Sequence, residues 1–159
     1  MVSDRQNIAA GTQQPEKFDV IIVGAGISGI GSATLLRKHC PDLSFAILEA
    51  LEGHGGTWLI HKYPGTRSDS DLFTFGYGFK PWTGQPIASR DQILEYLGDA
   101  IADASLGPFI RYGHSVTSAD WSSETASWRL TVERKDADDV VEMEASFLWM
   151  CQGYYRHAQ

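Results

Sequence analysis

The stretch Phe18-Asp19-Val20-Ile21-Ile22-Val23-Gly24-Ala25-Gly26-Ile27-Ser28-Gly29 decides the fold. Its first half is short, β-branched and almost wholly apolar, as a strand buried on both faces must be. Gly24-Ala25-Gly26 ends that strand abruptly. Beyond it, Ile27, Ile30, Ala33, Thr34 and Leu35 fall at helical spacing as far as His39, and Pro41 stops the helix. Leu43 to Leu48 reads as a second buried strand. Strand, helix and strand together make a βαβ unit of about 30 residues, the size a parallel crossover needs. The expected class is therefore α/β, built on a Rossmann-type parallel sheet.

Gly24 to Gly29 fits the pattern GxGxxG. Alone the pattern is weak, but here it closes a strand and opens a helix. Gly24 permits the tight turn, Gly26 lets the backbone approach a pyrophosphate, and Gly29 allows close helix–strand packing. Ser28 stands in the same turn, where the helix start offers free N–H groups to an anion. Glu49 follows Gly29 by 20 residues, at the end of the second strand. A carboxylate there can accept hydrogen bonds from an adenosine ribose and repels a 2′-phosphate. The motif thus points to NAD or FAD and away from NADP at this site.

Composition narrows the remaining classes. Thirteen basic and 20 acidic residues give a net charge of -7, which disfavours extended contact with nucleic acid or an anionic membrane. No apolar run approaches the roughly 18 residues a transmembrane helix requires. Residues 1–16 are polar, lack a signal-peptide core and read as a disordered tail ahead of one domain, residues 17–159. Cys40 and Cys151 form no disulfide framework, and five scattered His suggest no metal site. A soluble, cytoplasmic protein is the expectation.

Downstream, Glu52 to Asp71 forms a long Gly-rich connection of the kind that often carries function. Phe73, Phe75, Tyr77 and Phe79 alternate with small or polar residues, which predicts an extended segment with one aromatic face. Ser89-Arg90-Asp91-Gln92 is a capping-box pattern opening a helix, and Gly107-Pro108 closes it. His114 to Trp121 and Ser127 to Arg134 alternate as antiparallel strands. Lys135 to Asp139 makes a charged hairpin tip from which Val140 to Glu144 returns. Phe147 to Cys151 is another wholly apolar run and reads as a strand returning to the parallel sheet. The whole is a parallel sheet with an antiparallel β-meander insertion.

The connection also carries a resemblance. Gly55-Gly56-Thr57-Trp58, Tyr63-Pro64-Gly65-Thr66-Arg67-Ser68-Asp69-Ser70-Asp71 and Leu72-Phe73-Thr74-Phe75-Gly76-Tyr77 resemble the FAD domain of class B flavoprotein monooxygenases. Within that class the chain is most similar to Baeyer–Villiger monooxygenases of the ethionamide-activating type. Lys80-Pro81-Trp82 and Phe147 to Tyr155 extend the likeness, which runs from about Phe18 to Tyr155. Leu59 and His61-Lys62 depart from the pattern, where relatives usually carry an acidic residue and Phe-Arg.

The resemblance implies roles. Gly56, Thr57 and Trp58 would approach the flavin end of FAD, and Val116 would meet adenine through its backbone. Asp69 would lie beside the flavin and position an active-site arginine supplied from outside this chain. On the residues alone, Trp58 suits core packing as well as a ligand surface. Asp69 and Asp71 suit loop ends or caps equally well. The family reaction has NADPH reduce FAD and then oxygenates a ketone or a heteroatom. The chain carries no second GxGxxG, so an NADPH domain is expected only as a downstream partner. A non-catalytic FAD-binding remnant is the alternative, and the Gly55 to Trp58 loop argues against an NAD-dependent dehydrogenase.

Overall fold

The computed structural model describes residues 14–154. Strand β1, Glu16–Val23, leads through the glycine turn into helix α1, Ile27–His39, and strand β2, Phe45–Leu48. Two single-turn helices follow, α2 at Thr57–Ile60 and α3 at Leu72–Phe75, and then the longer α4 at Arg90–Asp103. A 3-10 turn at Gly107–Phe109 precedes β3, Ile110–Arg111. The chain closes with β4, His114–Ser122, β5, Ser127–Arg134, and β6, Asp139–Met150. All six strands belong to one sheet in the order β3-β2-β1-β6-β5-β4.

The parallel half forms as the sequence predicts. β1 pairs in parallel with β2 (Ile22 opposite Ile47), and β2 with β3. Alternation along β1 and β2 fills both faces of the sheet. Val20, Ile22, Phe45 and Ile47 pack with Ile30 and Ala33 of α1 and with Ile93 and Leu97 of α4. Ile21, Val23, Ala46 and Leu48 pack on the opposite side with Leu130, Val132, Met143 and Ala145. Each fully buried aliphatic here contributes roughly 1.5–3 kcal/mol.

Several expectations are corrected. The tail of residues 1–16 lies largely outside the described residues, but its last member, Glu16, opens β1 and belongs to the sheet. The aromatic run is not extended: Asp71 accepts a hydrogen bond from the Thr74 amide at 2.9 Å and caps α3 instead. Local capping outweighed the apparent alternation. Val140 to Glu144 and Phe147 to Met150 are one strand, not two. The first part of β6 pairs antiparallel with β5, and Met143 to Met150 runs parallel to β1. The meander is therefore continuous with the parallel sheet. Pairing with β5 stops at Ala145, and beyond it Phe147 and Met150 stay 57% and 50% exposed although the run is wholly apolar. The two-residue β3 was not anticipated, being too short to show a period.

Candidate functional site

The glycine turn sits where β1, β6 and α1 converge. Gly24 has φ +107°, a conformation that favours glycine, and a Cβ there would lie 2.6 Å from the Cys151 carbonyl oxygen. A Cβ on Gly29 would come within 1.9 Å of the Gly24 carbonyl oxygen, so α1 can approach the turn only because that position is bare. Gly26 has the opposite surroundings, since its added Cβ would touch only Gly56, at 3.7 Å. Gly56 has φ +52°, and a Cβ on it would stand 3.3 Å from the Gly26 Cα. Two stretches of bare backbone thus face one another at the start of α1.

One backbone contact closes this arrangement. The Gly55 amide donates to the Ala25 carbonyl at 2.9 Å, which lays the Gly55 to Trp58 loop against the turn. Gly56 then starts α2, with Thr57 and Trp58 in its first turn, and Trp58 packs half-buried on the edge of the core. His54 anchors the loop from behind through a ring nitrogen 3.3 Å from the Leu94 carbonyl of α4. Nothing in the spacing of His54 signalled that role.

Glu49 directly follows β2 with only 6% of its surface exposed, so its carboxylate needs partners inside the protein. It accepts the Ala25 amide at 2.7 Å and the Leu51 amide at 2.9 Å, one on each oxygen. A carboxylate oxygen has a second lone pair, so both retain acceptor capacity. Beside it the His114 amide donates to the Glu49 carbonyl at 2.9 Å, which brings the start of β4 to the end of β2. Val116 lies two residues further along β4, opposite Val132 and just before a β-bulge. Burial raises the Tyr112 hydroxyl pKa, and the charge of Glu49 adds to the effect.

The predicted residues therefore assemble in part. Gly24, Gly26, Ser28, Gly29, Gly56, Thr57 and Trp58 gather around the turn, with Glu49 bonded to it and Val116 beyond. Asp69 stands apart on an exposed loop, where it accepts from the Ser70 hydroxyl at 3.4 Å. That loop is fixed by the Ser68 amide bond to the Ala88 carbonyl, 2.9 Å, and by a bridge between Arg67 and Ser89. Next to it opens a recess of about 590 Å³ whose cationic lining is Lys62, Arg67 and Arg90. None of the glycine-turn residues lines that recess. The α1 side of the site also includes Cys151, whose thiol is raised by burial and partly offset by a hydrogen bond with Ser32. Among the described residues no cluster of His, Cys, Asp or Glu could hold a metal ion, and no helix is long and apolar enough to cross a membrane.

The NAD(P)-binding Rossmann-like domain family matches residues 22–91. The FAD-containing monooxygenase EthA of Mycolicibacterium smegmatis is 47% identical over 145 residues, which is 91% of this chain and 29% of that protein. Oxidized steroid monooxygenase bound to NADP superposes with a TM-score of 0.75 at 31% identity, over 87% of this chain and 26% of the other. OTEMO in complex with FAD and NADP gives a TM-score of 0.76 at 27% identity, over 92% and 28%. The chain thus spans less than a third of the length of the proteins it matches.

Proposed function

We propose that this chain, which is 47% identical over 91% of its length to an FAD-containing monooxygenase, is the FAD-binding region of an NADPH-dependent flavoprotein monooxygenase of the Baeyer–Villiger type. The observation that carries the reading is the pair of bare backbones at Gly26 and Gly56. Side chains there would fill the space a dinucleotide backbone needs, and the Gly55–Ala25 hydrogen bond keeps the two segments in register. The residues fit the cofactor.

In this reading Gly24, Gly26, Ser28 and Gly29 hold the pyrophosphate, with the unpaired N–H groups of the first turn of α1 as donors. Glu49 accepts the ribose hydroxyls on lone pairs left free by Ala25 and Leu51, and Val116 borders the adenine. Gly56, Thr57 and Trp58 receive the flavin end, where Trp58 supplies a flat wall against water. Asp69, exposed and acceptor-rich, orients an arginine contributed by a downstream NADPH-binding part. When bound, the flavin supplies the redox and oxygen chemistry, and the protein supplies orientation and electrostatics. Ketones or heteroatoms are the proposed substrate class. The proposal places the chain in the cytoplasm, a reading supported by two free thiols, Cys40 and Cys151.

Purification, an absorption spectrum and the mass of any released cofactor test the proposal directly. Flavin bands and a released FAD are the expected result. A colourless chain that takes up NAD but no FAD on titration overturns it in favour of a dehydrogenase-like domain.

A further inference from the structure

We infer that Tyr77 is a positioning residue for the cofactor pyrophosphate, acting through the first turn of α1 without touching the ligand. The inference rests on the FAD reading above and extends it to a residue outside the glycine motif. The Tyr77 hydroxyl donates to the Ile27 carbonyl at 2.5 Å, and the Gly31 amide is its other backbone neighbour. It reaches the helix only because position 31 is glycine: a Cβ there would sit 2.9 Å from Tyr77 Cε1. Burial raises the Tyr77 pKa far above that of an ordinary tyrosine, so the hydroxyl remains a donor at any physiological pH.

Tyr77 is itself held firmly. Its amide donates to the Tyr96 hydroxyl at 2.7 Å, and that hydroxyl donates to the Lys80 carbonyl at 2.6 Å. Its ring stacks with Phe79, ring centres 4.6 Å apart, and with Tyr96, 5.6 Å apart.

What this contact does follows from peptide geometry. The first bond of α1 runs from the Ile30 amide to the Gly26 carbonyl, so the amides of Ile27, Ser28 and Gly29 precede the helical ladder. The Ile27 carbonyl and the Ser28 amide belong to one peptide group. A hydroxyl donating to that carbonyl draws charge across the group and strengthens the Ser28 N–H as a donor. It also fixes the plane of the peptide. The N-cap is Gly26, which has no side chain to do either job, and the first turn of α1 contains no acidic residue.

The test uses the full 159-residue chain and the variant Tyr77→Phe, which keeps the stacked ring and loses only the hydroxyl. Three readouts are needed: affinity for FAD, ADP and adenosine by titration, the Ser28 amide proton shift in the unliganded protein, and the thermal midpoint. The expected result is roughly 3- to 10-fold weaker binding of both pyrophosphate ligands, the span of one net hydrogen bond, while adenosine binding is unchanged. An upfield move of the Ser28 amide proton should accompany it. Gly31→Ala, which displaces the ring, should give the same ligand selectivity if it folds. A Tyr77→Phe protein that binds FAD and ADP like the parent overturns the inference and leaves the FAD reading intact. Parallel losses for FAD and adenosine, following a lowered midpoint, reduce Tyr77 to a packing residue and also overturn it. A parent that binds neither FAD nor ADP overturns both readings.

Discussion

Gly26 and Gly56, 30 residues apart in sequence, oppose each other so closely that a Cβ on Gly56 would lie 3.3 Å from the Gly26 Cα. Gly29, in the same motif, is constrained by its own protein, since its Cβ would strike the Gly24 carbonyl. The two kinds of glycine should respond differently to substitution.

Gly26→Ala should leave the unfolding midpoint nearly unchanged, because the added methyl meets only ordinary contact at 3.7 Å. FAD affinity should fall about tenfold, or roughly 1.4 kcal/mol, and Gly26→Val should abolish flavin retention. Gly29→Ala should instead destabilise the fold by roughly 1–3 kcal/mol, at the upper end because the obstacle is backbone. Denaturation curves and flavin titrations on the three variants separate these effects. Parent-like FAD affinity in Gly26→Val would remove the turn from the binding site.

Glu49→Gln places an amide NH₂ where one carboxylate oxygen now accepts a backbone N–H from Ala25 or Leu51. The loss should be about 1–3 kcal/mol in stability, accompanied by weaker FAD binding. The urea midpoint of the unliganded protein is the measurement that matters. If only FAD affinity changed, Glu49 would serve the ligand alone and its bonds to the turn would be energetically idle.

Acid should weaken the sheet through the first residues of β1. Arg111 donates to both oxygens of Glu16, at 2.5 and 2.6 Å, and this hydrogen bonding, aided by the Arg111 charge, holds the Glu16 carboxyl below its usual 4.5. Asp19 is lowered as well, by the Ser44 hydroxyl and then the Ser44 amide. A carboxyl whose pKa is depressed by folding stabilises the native state fully above its unfolded value and loses that contribution as pH falls through the folded value. Stability should therefore be flat near neutrality and decline below about pH 4.5. Urea midpoints from pH 7 to pH 3 should show a shallower acid slope in a Glu16→Gln, Asp19→Asn double variant. An unchanged slope would assign acid sensitivity to other carboxylates.

The 159 residues alone should not couple NADPH oxidation to oxygenation. With one GxGxxG in the sequence, hydride donor and flavin are not held at reacting distance, and about 7–11 kcal/mol of proximity advantage is absent. NADPH consumption by the FAD-loaded chain, with a ketone and a sulfide present, should be slow and yield hydrogen peroxide only. Oxygenated product in stoichiometric amount, beyond free-flavin controls, would contradict this.

The sequence made the βαβ unit legible because both faces of β1 and β2 are buried and the glycine turn interrupts them sharply. Ser89 and Gln92 announced α4 through a capping box that the structure contains in full. Other features were hidden for physical reasons. The alternation around Phe73 and Phe75 imitated a strand, although Asp71 could cap a turn and both rings could remain exposed. β3 spans two residues and has no pattern to detect. The Gly31–Tyr77 contact joins residues 46 apart in sequence, and a bare glycine inside a helix suggests loss of propensity before it suggests a docking place. The role expected of Asp69 came only from family likeness, since its position depends on a loop fixed by Ser68 and Arg67.

The uninterrupted course of β6 makes the chain indivisible. Its N-terminal part needs β5 as a neighbour and its C-terminal part needs β1, yet one covalent ribbon serves both. Excising the β4–β5 hairpin would strip half the partners from the ribbon that ends at Met150, next to Cys151, whose carbonyl walls the Gly24 turn. Damage at the far edge of the sheet would thereby arrive at the nucleotide-facing end as a displaced wall. Trimming this protein to a minimal nucleotide binder should consequently fail in one step, with hairpin and glycine turn melting together.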